Sequence, residues 1–500
     1  MFGLKNIIKS IAGVGTNKFA RELTNIANKI NEASSEDLPA YFDEMAQTLA
    51  MRNNQASSQI SDVSILVNLD DSTHAICQKI NREFLLKNKE YAQSLPSVLK
   101  YWNELTRAYQ LCQRQYQAQL GKKMLSADLK KASFLGLRHQ INLIKWDALR
   151  HTKPNNEKWN SVFFLYQFAE EHGFHQEELA SYKGRTPASC QTLMIRLGML
   201  NFSQTDTLTR KEIEALEILL NSLFKDMVLS NKPFKTPFQY AFDLSSNMPP
   251  QKIIEVSDSP YYRYWNGEQI LSQLGDILFN FDKGLAKKLT STLPDLSEQN
   301  WYLLVEKLSS SWSQHGGKAM RKEERVITKE WCDLSIGLAN SQTTSANAHY
   351  SKQVNPSCSI VDKSNSGFGL VYIGPYKQLL ELNVILLISS NNIKNALAIV
   401  KRLQHLPDGG TVIGVQKLGE NAVTIEINEV GSPITYHALF VPQLSSNNQT
   451  RFLLIAPELG VVGEKMLINN ANQKFMISIT QIVNEFIDCK QVSFDVIQQL

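Results

Sequence analysis

Ala398-Ile-Val-Lys-Arg-Leu-Gln-His-Leu-Pro-Asp-Gly-Gly-Thr-Val-Ile-Gly-Val-Gln-Lys-Leu418 decides how the second half of this 500-residue chain folds. Two β-like runs, Ala398–Leu403 and Thr411–Val415, flank Pro407-Asp-Gly-Gly410, whose residue types suit a tight turn, so the stretch predicts a hairpin. Downstream the same pattern continues. Val423, Ile425 and Ile427 alternate with Thr424, Glu426 and Asn428, and Phe475, Ile477 and Ile479 repeat the alternation, as do Val492, Phe494 and Val496. Period two means strands with one buried face, and many short strands with Gly-rich turns predict a barrel or sandwich.

Upstream, to about residue 312, the apolar period is helical. Thr209 and Glu212 have the spacing of a capping box, after which Ile213, Leu216, Leu220, Leu223 and Met227 share one face. Ile270, Leu271, Leu274, Ile277, Leu278 and Phe281 form a second stripe, and Trp301, Leu304, Val305 and Leu308 a third. The stretches 38–50, 72–120 and 126–150 read the same way. The fold class expected is α+β: a mostly helical region over 1–312 with almost no sheet, an antiparallel β-barrel over 313–440, and a short β-rich extension over 441–500 packed on it. A polar break at 151–157 marks a possible subdivision of the helical part, and Asn247-Met-Pro-Pro250 is irregular. No repeat of fixed length emerges.

Bulk properties narrow the function. A formal charge of +4 is small for this length and gives no reason to expect duplex nucleic acid as a partner. The six cysteines (Cys77, Cys112, Cys190, Cys332, Cys358 and Cys489) are scattered, without metal-ligand or disulfide-framework spacing, which suits reduced thiols in the cytoplasm. No run approaches the ~20 apolar residues of a transmembrane helix. The stripe Phe2, Leu4, Ile7, Ile8 and Ile11 with Lys5 and Lys9 suits a helix docked on its own protein, with peripheral membrane contact by residues 1–12 as the alternative.

Two short motifs carry chemistry. Arg321-Lys-Glu-Glu-Arg325 follows Gly316-Gly317, read as a flexible joint, and Asp362-Lys-Ser364-Asn-Ser-Gly367 precedes the strand-like Phe368-Gly-Leu-Val-Tyr372. Arginine grips phosphate oxygens with a planar fork and offers two hydrogen bonds to guanine O6 and N7. Asp and Ser supply short polar groups for base edges, and Gly lets backbone approach a ligand closely.

These motifs, followed by Leu382–Leu387 and by the hairpin ending Gly414-Val-Gln-Lys-Leu418, resemble the PilZ family of cyclic di-GMP receptors over residues 316–430. The resemblance implies a PilZ-like barrel on which Arg321 and Arg325 contact phosphate and guanine, while Asp362, Ser364 and Gly367 line a guanine site. It implies a ligand, cyclic di-GMP, and no cofactor. Ligand would order the arm bearing both arginines and signal through the helical region to a protein partner. The chain departs from the family in a long interval between Arg325 and Asp362, which predicts an inserted loop at 341–356. Met320 stands where members that bind a stacked ligand dimer carry arginine, which favours one ligand per barrel. The competing reading is a scaffold whose barrel has no nucleotide role.

Other features are read as structure. Gly13–Lys18 lacks phosphate-loop spacing, and His172 and His175 lack convincing metal-ligand partners. Tyr261, Tyr262, Tyr264 and Trp265, beside Arg263, are assigned to packing. No catalytic set emerges, so a receptor is expected and not an enzyme.

Overall fold

A computed structural model of the chain describes residues 18–55, 62–119, 124–224, 227–236, 238–253, 259–293, 295–316, 324–346, 358–442, 451–470 and 473–500. The N-terminal stripe at 1–12, Gly13–Asn17, Met320 and Arg321 lie outside these residues. The chain forms two compact units. One comprises Met1–Leu149, Pro154–Gln204 and Arg210–Gly317, and the other Arg150–Lys153, Thr205–Thr209 and Lys318–Leu500.

The first unit is helical. Its helices are α1 (Lys18–Glu32), α2 (Leu38–Asn54), α3 (Val63–Leu85), α4 (Lys89–Ala92), α5 (Leu95–Ala118), α6 (Ala127–Leu149), α7 (Asn156–Glu171), α8 (Cys190–Phe202), α9 (Arg210–Ser222), α10 (Gly267–Phe279), α11 (Leu285–Thr292) and α12 (Glu298–Trp312). The stripes identified in sequence are the buried faces: Ile213, Leu216 and Leu220 on α9, and Trp301, Leu304, Val305 and Leu308 on α12. Side chains close the helix starts. Asn155 accepts from Lys158 N at 3.1 Å, and Ser189 from Thr192 N at 3.1 Å. The helical stretch 72–120 is three helices, because Lys87 takes a positive φ of 59° and Pro96 sits in the first turn of α5. Among the described residues, no helix is long and apolar enough to cross a membrane.

The expectation of almost no sheet before 312 needs correction. β1 (Gln239–Asp243), β2 (Gln251–Ile253) and β3 (Tyr262–Asn266) form a small antiparallel sheet in the order β2-β1-β3. These strands are three to five residues long, and four consecutive residues of β1 are buried, so no alternation advertises them. The aromatic run packs here. Trp265 stacks on Tyr240 at 5.2 Å and Phe242 at 4.9 Å, while Arg263 forks onto Glu170 of α7 at 2.7 and 2.5 Å. His172 stacks on Phe168 with centroids 4.3 Å apart. Gly316 is no slack joint. Lys252 Nζ donates to the carbonyls of Ser311, Ser313 and Gly316 at 2.6–2.7 Å, and a Cβ on Gly316 would lie 2.0 Å from Ser310 O.

At the centre of the helical unit, Asp70 of α3 is 1% exposed. His139 Nε2 of α6 lies 2.7 Å from its carboxylate, and the hydroxyls of Tyr182 and Tyr109 donate to it at 3.0 and 3.3 Å. Burial alone would favour the neutral acid, but His139 and Tyr182 outweigh it and hold the carboxyl below its ordinary range. His74 stacks on Tyr182 at 3.4 Å. Its burial, and then the neighbouring Arg138, push its pKa down to about 4, against the attraction of Asp70.

The second unit holds two closed antiparallel barrels of six strands each. β4 (Val326–Ile336), β5 (Cys358–Ser364), β6 (Gly367–Tyr372), β7 (Ile385–Ser389), β8 (Ala396–His405) and β9 (Thr411–Gly419) close the first in the order β4-β5-β6-β9-β8-β7. Here the predicted hairpin is β8–β9. β10 (Val423–Glu429), β11 (Tyr436–Val441), β12 (Phe452–Ile455), β13 (Lys465–Asn470), β14 (Gln473–Glu485) and β15 (Lys490–Gln499) close the second. The region 441–500 is therefore no short extension of the first barrel. Its strands combine with β10 and β11 from the 313–440 region, because Ile425, Ile427, Met466, Ile477 and Val492 bury their side chains in a core of their own. A further apolar cluster joins the barrels, with Ile385 and Leu387 from the first and Leu439 and Leu454 from the second. The first part of the expected inserted loop is a helix, α13 (Leu338–Ala346), which accounts for some of the long motif interval. Asp488 accepts from Leu338 N at 2.6 Å, and Gln342 donates to His437 O at 2.7 Å, so α13 bridges the barrels.

The histidine and aspartate give the helical unit a signed pH dependence. Unfolded chain takes up a proton at His74 near 6.5, which folded chain refuses until about 4, so stability falls as pH drops through that window. Below 3.8 the loss continues, as the unfolded chain protonates Asp70 first. His74→Phe keeps the stack and is expected to flatten the melting temperature between pH 6.5 and 4. Equal pH slopes for variant and wild type would contradict this assignment.

Candidate functional site

Closure of the first barrel turns every second side chain outward, and two irregularities decide which residues meet on that surface. The register shifts between Ile360 and Asp362 on β5, and again between Val400 and Arg402 on β8. Bulges of this kind re-aim side chains. Across the sheet, Asp362 then pairs with Gly369 of β6, Gly369 with Gly414 of β9, and Gly414 with Arg402. The row is a carboxylate, two glycines and a guanidinium.

The glycines are required by proximity. A Cβ on Gly369 would lie 2.7–2.8 Å from the Asp362 carboxylate, so that carboxylate occupies the space where a side chain would stand. A Cβ on Gly414 would meet Arg402 Cβ at 3.0 Å. Gly367, which opens β6, brings its α-carbon so near β9 that a Cβ would fall 2.1 Å from Val415 O. The result is a row in which two glycines carry no side chain of their own and are covered by the Asp362 carboxylate at one end and the Arg402 side chain at the other.

Four of the five residues singled out in sequence are described. Arg325 immediately precedes β4, and its Nη1 donates to Asp362 Oδ1 at 2.6 Å, which brings the two motifs together across 37 positions of sequence. Both side chains are partly exposed, 32% and 26%. Ser364 ends β5 and pairs with Gly367 across the hairpin. Its hydroxyl lies 3.4 Å from Ser366 Oγ and 3.5 Å from Gly367 O, long for hydroxyl hydrogen bonds, so it is open to a shorter partner. Arg321 lies outside the described residues, four positions before Arg325.

Gly369, Gly414 and Arg402 are not singled out by sequence reasoning. Glycine in a strand interior is a signal of close approach, and Gly367-Phe-Gly369 displays it at period two. Arg402 carries no such mark, since only the bulge turns it onto the row. It forms an ion pair with Asp206, of the Thr205–Thr209 segment that belongs to the same unit.

Chemically, the site offers a carboxylate for N–H donors, a hydroxyl, and two guanidinium groups for anions. Among the described residues, no group of three His, Cys, Asp or Glu side chains is placed to hold a metal ion.

If Gly369 exists to make room for Asp362, the two positions must be energetically coupled. Gly369→Ala is expected to lower the melting temperature in wild-type background and to cost much less when combined with Asp362→Ala. Such coupling between contacting residues is typically about 0.5–3 kcal/mol. Strict additivity in this double-mutant cycle would mean that the carboxylate is not held over the glycine.

Residues 25–233, less than half of the chain, match the family model described as "Cyclic-di-GMP receptor FimW, N-terminal domain". That stretch lies in the helical region and stops short of the barrels. No curated protein and no solved structure matches the chain.

Proposed function

We propose that this chain is a cyclic di-GMP receptor, not an enzyme, and that the ligand binds on the first barrel over the Asp362–Gly369–Gly414 strip. The observation that carries the proposal is the Arg325–Asp362 pair at 2.6 Å, which joins the two halves of the motif set on one face. The description of the family matched by residues 25–233, a cyclic di-GMP receptor, supports the same ligand from a separate part of the chain.

The chemistry complements a guanine nucleotide. Guanine presents N–H donors that a carboxylate accepts, so Asp362 takes the base edge, with the Ser364 hydroxyl beside it. The ligand's phosphates take Arg325 and Arg321, and a base plane lies against the Asp362 and Arg402 side chains that cover Gly369 and Gly414. Binding exchanges one ion pair for several charge-assisted contacts. The partly exposed pair is worth about 0–1 kcal/mol, whereas a hydrogen bond to a charged group contributes about 1.5–3 kcal/mol, so the exchange favours ligand.

Both arginines lie in the segment that follows α12 and leads into β4. Ligand capture therefore acts on the covalent connection between the helical unit and the barrel, which supports a signal passed to the helical region and to a protein partner there. Cytoplasmic residence and one ligand per barrel remain part of this reading.

The test is calorimetric titration with cyclic di-GMP, paired with melting curves. Arg321→Ala, Arg325→Ala and Asp362→Ala are each expected to weaken binding at least about tenfold, which is ~1.4 kcal/mol. Stability without ligand should change little for Arg321→Ala and by no more than about 1 kcal/mol for Arg325→Ala. Wild-type chain that fails to bind, or unaltered affinity in all three variants, would leave the nucleotide-independent scaffold in its place.

A further inference from the structure

A second cluster of cations lies in the helical unit, remote in sequence from the barrel motifs. Arg138 and Lys145 stand two turns apart on α6, Arg196 is on α8, and Arg185 is in the loop between α7 and α8. Together they line a cavity of about 250 Å³. Glu217 of α9 is the one carboxylate in that lining. It pairs with Lys145, as does Glu214, at 2.6 Å for the latter, so the two glutamates more than neutralise the lysine. The three arginines still leave the site net cationic.

Two of those arginines have donors without acceptors. Arg138 Nη1 and Arg196 Nε are buried and make no hydrogen bond within the protein. Buried N–H groups are nearly always satisfied, so these orphan donors show that the protein itself only partly compensates the two guanidinium groups. The guanidinium groups are also held in position. Arg196 donates to Asn221 Oδ1 and O at 3.1 Å each, Arg185 donates to Gln78, and Arg138 lies 5.0 Å over the Tyr182 ring. Phe134, Leu193 and Ile213 complete the wall with apolar surface.

We infer that this cavity binds a small phosphomonoester carrying an apolar or planar body. A phosphate dianion matches the cationic excess and accepts from several guanidinium groups at once, and the apolar wall accommodates the remainder. The volume decides the size class. Pockets for drug-sized ligands run to about 300–1,000 Å³, so a cavity of about 250 Å³ takes a compact phosphate ester and not an entire cyclic dinucleotide. The inference stands apart from the barrel site and does not depend on its ligand.

Phenyl phosphate is the probe, titrated calorimetrically into the full chain, with phenol as the uncharged control. Binding of phenyl phosphate without binding of phenol is expected. Arg185 is exposed, so Arg185→Gln should fold normally and weaken binding about tenfold, the loss of one charge-assisted contact. Arg138→Gln should do the same if it folds. Glu217→Gln, which removes the competing anion, should tighten binding, a gain that a purely structural role would not produce. Cyclic di-GMP affinity should be unchanged in Arg185→Gln, which separates this site from the barrel. Failure of wild type to bind phenyl phosphate, or equal affinity in Arg185→Gln and Glu217→Gln, would overturn the inference.

Discussion

The outer face of the first barrel is organised by one steric constraint: the Asp362 carboxylate lies in the space that a side chain on Gly369 would need. Everything at the candidate site follows from that placement. The carboxylate reaches it because β5 is bulged after Ile360, and once there it holds Arg325, which leads into β4. The same row continues through Gly414 to Arg402, where a second bulge repeats the device on β8. Inward residues of the same strands, including Ile360, Leu370 and Ile413, fill the barrel core. The fold thus keeps its core intact while changing which side chains face out.

Closure supplies the rigidity this arrangement needs. A closed barrel has no free edge, so the row cannot slip register without breaking the ring. The second barrel adds a further anchor. Its surface meets the first through Ile385, Leu387, Leu439 and Leu454, and α13 ties the two through Asp488 and His437. In the helical unit, buried polar groups take the corresponding role. Asp70 gathers side chains from α5 and α6 and the Tyr182 loop, and a buried carboxylate with those partners admits few alternative packings.

How much of this was legible in sequence depends on whether a residue's task is periodic. Helical stripes such as Trp301–Leu308 and the β8–β9 hairpin were readable, because burial imposes a period and a turn imposes residue types. The sheet of β1–β3 was not, since its strands are short and β1 is buried on both faces. Nor was the second barrel, because alternation reveals strands without saying which ones close together. At the candidate site, Arg325 and Asp362 stood out in sequence through two short motifs and the family resemblance they carry, whereas Arg402 depended on a bulge that has no sequence signature. The cationic cavity was equally hidden, since Arg138, Lys145, Arg185 and Arg196 converge from two helices and a loop.

Cyclic di-GMP is proposed to bind over the row Asp362, Gly369, Gly414 and Arg402. Titration of ligand into chain labelled with ¹⁵N-glycine, followed by amide resonances, tests it directly. The amides of Gly367, Gly369 and Gly414 are expected to shift together and saturate at one affinity. Shifts confined to glycines of the helical unit, such as Gly136 and Gly198, with the strip unmoved, would contradict it.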